Sequence, residues 1–132
     1  NLPIIVENTV SAMRKAGLRR LIFMGAVGIY DEIPADMDDE DNVKNNPVQI
    51  PNRKAADNVE NSGLDYTVLR PGYLRDGDKD DYTLTFKGEQ AKGYVSTIPS
   101  VVGLAVRLIH DDTLYVRQSV SITRDMSDTE KL

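Results

Sequence analysis

Apolar positions in the first seventeen residues recur at helical spacing. Val6, Val10 and Met13 fall on one stripe, Ile5 and Ala12 widen it, and Glu7, Arg14 and Lys15 face outward. Asn1 can cap such a helix, Pro3 is tolerated in its first turn and Gly17 stands at its exit, which predicts a helix over 3–16. The pattern then changes. Leu18 to Met24 carries Leu21, Ile22 and Phe23 without a break, the run expected of a parallel strand buried on both faces, and so deep a strand belongs in the middle of its sheet. Helical spacing returns over 52–62, where Ala55, Ala56 and Val59 form a small-residue face and Lys54, Asp57 and Glu60 stay polar. A short apolar run of β-formers predicts a second strand over Tyr66–Arg70. Val102, Ala105, Val106 and Ile109 mark a third helix over 100–110, with His110 set favourably against its negative pole, and Gln118–Ile122 reads as a third strand. Helix and strand alternate, so the expected class is α/β with three parallel strands and helices on their faces.

The segments between these elements are polar. Gly25-Ala26-Val27-Gly28 follows the first strand, but a phosphate-binding turn has a third glycine and runs straight into a helix, whereas Asp31-Glu32-Ile33-Pro34 is acidic and helix-breaking. Residues 31–49 carry Asp31, Glu32, Asp36, Asp38, Asp39, Glu40 and Asp41 without the ligand alternation of a calcium loop, so a solvated, mobile loop over the site is expected. Tyr82-Thr83-Leu84-Thr85-Phe86 alternates, Lys87-Gly88-Glu89 can turn and Gly93-Tyr94-Val95-Ser96 can return, which predicts a hairpin or pair of short strands over 82–96. From Asp125 to Leu132 the chain reads as a polar tail.

The stretch Ser62-Gly63-Leu64-Asp65-Tyr66-Thr67-Val68-Leu69-Arg70-Pro71-Gly72-Tyr73-Leu74 packs a helix stop, a buried strand and a loop start into thirteen residues. Gly63 can take the left-handed conformation that ends a helix, and Pro71 and Gly72 break the strand where its carboxyl end opens on a crevice. Gly-Leu-Asp-Tyr-Thr-Val-Leu-Arg-Pro-Gly after a helix resembles the sixth-strand signature of the atypical short-chain dehydrogenase/reductase superfamily, NAD(P)-binding Rossmann proteins that include NmrA-like regulators and flavin/biliverdin-reductase-like enzymes. The segment Ile98 to Ala105, continuing to Tyr115–Ile122, resembles the same proteins' carboxyl-terminal portion.

The resemblance implies a carboxyl-terminal half of a Rossmann sheet, whose cofactor is NAD(P) with most of the binding site in the amino-terminal half. It places Met24, Gly25 and Ala26 on the nicotinamide ribose side, and Pro71, Gly72 and Tyr73 against the nicotinamide. Lys54 matches the family lysine that binds the ribose and lowers the pKa of a catalytic tyrosine. Ile50 stands at the position of that tyrosine and Ala26 at that of the catalytic serine, so two of the three reactive groups are absent. Tyr30 and Tyr73, near the expected crevice, are substitutes or packing residues. Gly72 either admits a close cofactor approach or only turns the chain. Hydride transfer to a small carbonyl, quinone or flavin-like acceptor and NAD(P) sensing without catalysis both stay open.

Composition narrows the partners. A net charge of −5 and a pI near 4.8 disfavour a nucleic-acid backbone. No cysteine means no disulfide, thiolate or Cys-based zinc site, and a single histidine, His110, cannot build a His-rich metal site. No apolar run reaches the roughly 20 residues that span a bilayer. The expectation is therefore a cytoplasmic protein of one domain over 1–132, with a nicotinamide dinucleotide and a small molecule as partners. The start at Asn1, directly before a helix, suggests a fragment, and half a sheet would leave an open edge for self-association.

Overall fold

The computed structural model describes residues 1–37 and 39–126. Asp38 and most of the expected tail, 127–132, lie outside the described residues. Helix α1 (Leu2–Ala16) begins where Asn1 Oδ1 accepts the Ile4 N–H at 3.5 Å and ends at Gly17, left-handed at φ 73°. Strand β1 (Arg20–Met24) follows, then a short 3-10 turn at Asp39–Asp41, helix α2 (Gln49–Glu60), strand β2 (Asp65–Pro71) and strand β3 (Tyr73–Arg75). Strands β4 (Thr83–Phe86) and β5 (Val95–Thr97), helix α3 (Ile98–His110) and strand β6 (Gln118–Thr123) complete the order.

α2 starts three residues before the predicted position. Asn46 and Pro47 take the Gln49 and Ile50 N–H groups at 3.0 and 3.1 Å, and Pro51 falls in the first turn, where a helix needs no donor. Thr97 caps α3 by accepting the Ser100 N–H at 3.2 Å.

The main sheet runs β1-β2-β6-β4. β1, β2 and β6 are parallel, with Met24 opposite Leu69 and Leu69 opposite Val120; β4 runs antiparallel to β6. β1 is thus an edge strand in this chain, not a central one, and its residues are only partly covered. Alternation sorts the side chains by face. Leu21, Phe23, Tyr66 and Val68 meet Val6, Val10, Ala55 and Val59 from α1 and α2. Ile22, Leu69, Val120 and Ile122 meet Val101, Leu104 and Leu108 of α3. Among the described residues no helix is long and apolar enough to cross a membrane.

Both short strands expected over 82–96 form, but they do not pair with each other. β4 joins β6, where Leu84 and Phe86 are drawn into the α3 cluster and Thr85 Oγ1 hydrogen-bonds Ser121 Oγ. β5 pairs in parallel with β3, a strand that the sequence pattern had assigned to a loop. Gly72 makes this second pairing possible. Its N–H donates to Ser96 Oγ at 2.8 Å, and a Cβ there would lie 2.2 Å from the Tyr94 carbonyl oxygen.

The acidic stretch after β1 is the largest departure from expectation. It is anchored at two points while Asp31, Asp36 and Glu40 stay exposed: Glu32 is 6% exposed and Asn42 1%. Asn42 exchanges two hydrogen bonds with the Ile33 backbone, at 3.0 and 2.9 Å. Val27, Ile33 and Ala91 form a third apolar cluster beneath it. The anchor is Arg70, fully buried in β2. Its guanidinium pairs with Glu32, and its Nε donates to Ser119 Oγ at 2.9 Å. The other Glu32 oxygen accepts the Gly28 and Tyr30 N–H groups at 2.8 and 3.0 Å. A charge that cannot be left unpaired in a dry interior thus pulls the loop over the polar half of the sheet.

Arg70→Met leaves the Glu32 charge buried without its partner. It is expected to cost about 3–5 kcal/mol, read as a lower urea midpoint, whereas Arg19→Ala, at an exposed pair with Asp65, should cost less than about 1 kcal/mol. Gly72→Ala should destabilise the fold and raise amide exchange in β3 and β5 before β1 and β2, since the added methyl collides with the Tyr94 carbonyl.

Candidate functional site

The carboxyl ends of β1 and β2 lie side by side, and their ladder continues into the loops. Gly25 N–H donates to the Leu69 carbonyl at 2.8 Å and Val27 N–H to the Pro71 carbonyl at 2.9 Å. Backbone pairing therefore brings the two loops together without help from side chains. Above them opens a crevice of about 290 Å³ floored by Ala26, Pro71 and Gly72. This is the place where open parallel sheets bind ligands.

Its walls come from three other segments. Tyr73 and Tyr94 meet edge to face, ring centroids 6.3 Å apart, on one side. Asp41, Asn46 and Gln49 line the other. Gln49 donates to the Val27 and Asp41 carbonyls at 3.2 and 3.0 Å, tying the entrance of α2 to both loops. Asn46 Nδ2 donates to Asp41 Oδ1 at 3.2 Å, and the Tyr73 hydroxyl donates to Asp41 Oδ2. Gly28, at φ 103°, has its Cβ direction filled by the Asp41 carbonyl 2.4 Å away. The glycine pair of Gly25-x-x-Gly28 thus serves chain packing.

Of the residues singled out in the sequence, Ala26, Pro71, Gly72 and Tyr73 line the crevice, and Met24 and Gly25 lead into it from β1. Lys54 is elsewhere. It is exposed and borders a separate cavity with Asn1, Glu7 and Ile50, between the starts of α1 and α2. Tyr30 is also outside the crevice lining. Its ring lies between cations, 4.8 Å from the Arg70 guanidinium carbon, 5.0 Å from that of Arg53 and 4.8 Å from Lys87 Nζ. Its hydroxyl reaches Glu60 at 3.0 Å and Ser119 at 2.9 Å. Burial first, then the Glu60 carboxylate, pushes the phenol well above its ordinary pKa, so it holds its proton rather than offering it.

Sequence reasoning missed Asp41, Asn46, Gln49 and Tyr94. The first three lay in the stretch read as solvated and at a helix start placed too late, and Tyr94 in a segment read as a hairpin return. The one usable signal was the density of Asn, Asp and Gln between Asp39 and Gln49, a composition suited to a loop tied by side-chain hydrogen bonds.

Comparison with known proteins agrees with this geometry. A family described as NAD(P)H-binding matches residues 2–112. A Rossmann-fold NAD(P)-binding family protein from Shigella flexneri is 31% identical over 100% of this chain and 59% of its own length, at a TM-score of 0.79. A short-chain dehydrogenase/reductase from Veillonella parvula, solved in complex with NADP, is 24% identical over 98% of this chain and 62% of its own, at 0.82. ChuY, an anaerobillin reductase from Escherichia coli, is 20% identical over 92% of this chain and 58% of its own, at 0.68. The chain thus spans about three fifths of the length of these structures. No curated protein matches it. The chain belongs to the NAD(P)H-binding family and has its Rossmann-type fold.

Proposed function

We propose that the crevice between β1 and β2 takes the nicotinamide end of NAD(P)H and that the protein reduces a small carbonyl, quinone or flavin-like acceptor. The observation that supports this is the floor itself: Ala26, Pro71 and Gly72 line the crevice where two backbone hydrogen bonds join the loops at the strand ends. The donor set fits that end of the dinucleotide and not its pyrophosphate. At the α2 entrance the Gln49 and Ile50 N–H groups are spent on Asn46 and Pro47, Val48 N–H on Asn46 Oδ1 at 3.1 Å, and Pro51 has no N–H. An anion finds no free helix donor there. The pyrophosphate is left to groups other than this chain's described ones.

When bound, the reduced nicotinamide supplies a hydride, two electrons with one proton. The chain's own part is to orient the ring on the floor, keep water from it with Tyr73 and Tyr94, and leave the acceptor's further proton to solvent. No lining residue replaces the missing serine and tyrosine. The Tyr73 hydroxyl donates its hydrogen bond to Asp41, and the ring serves as a wall. A cytoplasmic address belongs to the same proposal.

A second reading is an NmrA-like module that senses NAD(P) without catalysis, favoured by Ala26 and Ile50 at the positions of the reactive groups. NADPH consumption separates the two. Turnover with menadione supports the reductase, binding without turnover across a panel of quinones, dyes and flavins supports the sensor, and absence of both overturns the crevice assignment. Ala26→Leu, which raises the floor, is expected to weaken NADPH binding by about tenfold or more, read by NADPH fluorescence. Lys54→Ala, outside the crevice, should leave it unchanged.

A further inference from the structure

We infer that this crevice selects a small, flat, uncharged acceptor and that Asp41 is the residue that turns anionic acceptors away. The inference rests on the reading of the crevice as a nicotinamide and acceptor site, and narrows it.

Size sets the first limit. About 290 Å³ is roughly ten waters' share of liquid volume, and the nicotinamide bed occupies part of it. That suits one or two fused rings. A flavin nucleotide, with three fused rings and a ribityl phosphate, exceeds that volume and would extend beyond these walls.

Shape sets the second. Pro71 and Gly72, without polar side chains, line the crevice, and the edge-to-face pair of Tyr73 and Tyr94 offers an aromatic surface beside them. Planar rings gain most from such a wall.

Charge sets the third limit. Among the described residues Asp41 is the one formally charged member of the lining, and neither Lys nor Arg contributes to it. Its hydrogen-bond partners, the Asn46 amide and the Tyr73 hydroxyl, are neutral donors and leave its charge uncancelled. This sets it apart from Glu32, Asp57, Asp65 and Asp81, each of which lies in an ion pair with arginine. Asp39 and Glu40 share its 3-10 turn and carry the same charge. Arg75 stands 5.9 Å from the Tyr73 ring on exposed β3, where solvent screens it. The amides that could hold a carboxylate or sulfonate are engaged as well. Gln49 Nε2 serves the Val27 and Asp41 carbonyls, and Asn46 Nδ2 serves Asp41 itself. An incoming anion therefore meets a carboxylate and no opposing donor, which is discrimination by repulsion.

The test compares two ligands of like shape, menadione and a naphthoquinone sulfonate, by equilibrium dialysis against the full chain. Because the chain has no cysteine, thiol addition to the quinone does not confuse the measurement. Menadione is expected to bind at least about tenfold more tightly than the sulfonate. Asp41→Asn, nearly isosteric, should bring the two affinities together by strengthening the sulfonate relative to menadione. Its urea midpoint shows whether the loop is intact, and Asp41→Ser serves as the second variant should the first unfold. Equal affinities in the wild type, an unchanged ratio in a folded variant, or binding of neither quinone overturns the inference. NADPH turnover is scored separately: selective quinone binding without turnover sinks the reductase reading and leaves the selectivity standing.

Discussion

A single buried ion pair shapes most of what is distinctive here. Arg70 stands at the carboxyl end of a central strand, in a layer where an uncompensated guanidinium would be costly, and Glu32 reaches it only if the chain after β1 folds back over the sheet. That return has further consequences. Glu32 also gathers the Gly28 and Tyr30 amides, the Tyr30 ring settles on the Arg70 guanidinium, and Ile33 is brought to Asn42. The crevice is the space left between the loop so anchored and the β3–β5 pair. A well-packed apolar pair could match this stability, as buried ions seldom win on energy alone. What the ions add is one defined path for a long loop.

The helices and parallel strands were legible as elements from local signatures, although α3 buries Val101, Leu104 and Leu108 and leaves the expected face of Val102, Val106 and Ile109 exposed, because the helix is apolar on most sides. A run such as Leu21-Ile22-Phe23 suits a parallel strand, and Asn1 and Gly17 bracket α1 by capping chemistry alone. Partnership between strands was less legible. Thr83–Phe86 and Val95–Thr97 alternate like a hairpin, yet each finds a better buried neighbour in β6 and β3. Alternation reports which residues share a face and says nothing about the partner strand. The position of β1 shows the same limit, since a run suited to the centre of a sheet stands at its edge in this chain.

The floor of the site was readable for a similar reason. Strand ends followed by Gly-Ala or Pro-Gly leave little choice about where the backbone opens, and Ala26, Pro71, Gly72 and Tyr73 lie together as expected. Spacing alone did not show which way two of the residues would face: Lys54 borders the cavity between the starts of α1 and α2. Tyr30 is taken by cations that arrive from distant parts of the chain. The walls were hidden by composition. A run of acids looks like a solvated surface until one of them is matched to a buried arginine thirty-eight residues away.

The two glycines at 28 and 72 have a meaning beyond local geometry. Each is pressed against the carbonyl of a wall residue, Gly28 against Asp41 and Gly72 against Tyr94. What is locked at 41 and 94 by these contacts is main chain, while the side groups face the opening, Asp41 bonded to Asn46 and Tyr73, and Tyr94 packed on the Tyr73 ring. A substitution at either residue redraws the opening and those bonds, but the glycine–carbonyl contacts do not depend on the side chain. A scaffold built this way can change its clientele by single substitutions, a division of labour between immovable peptide planes and exchangeable surfaces.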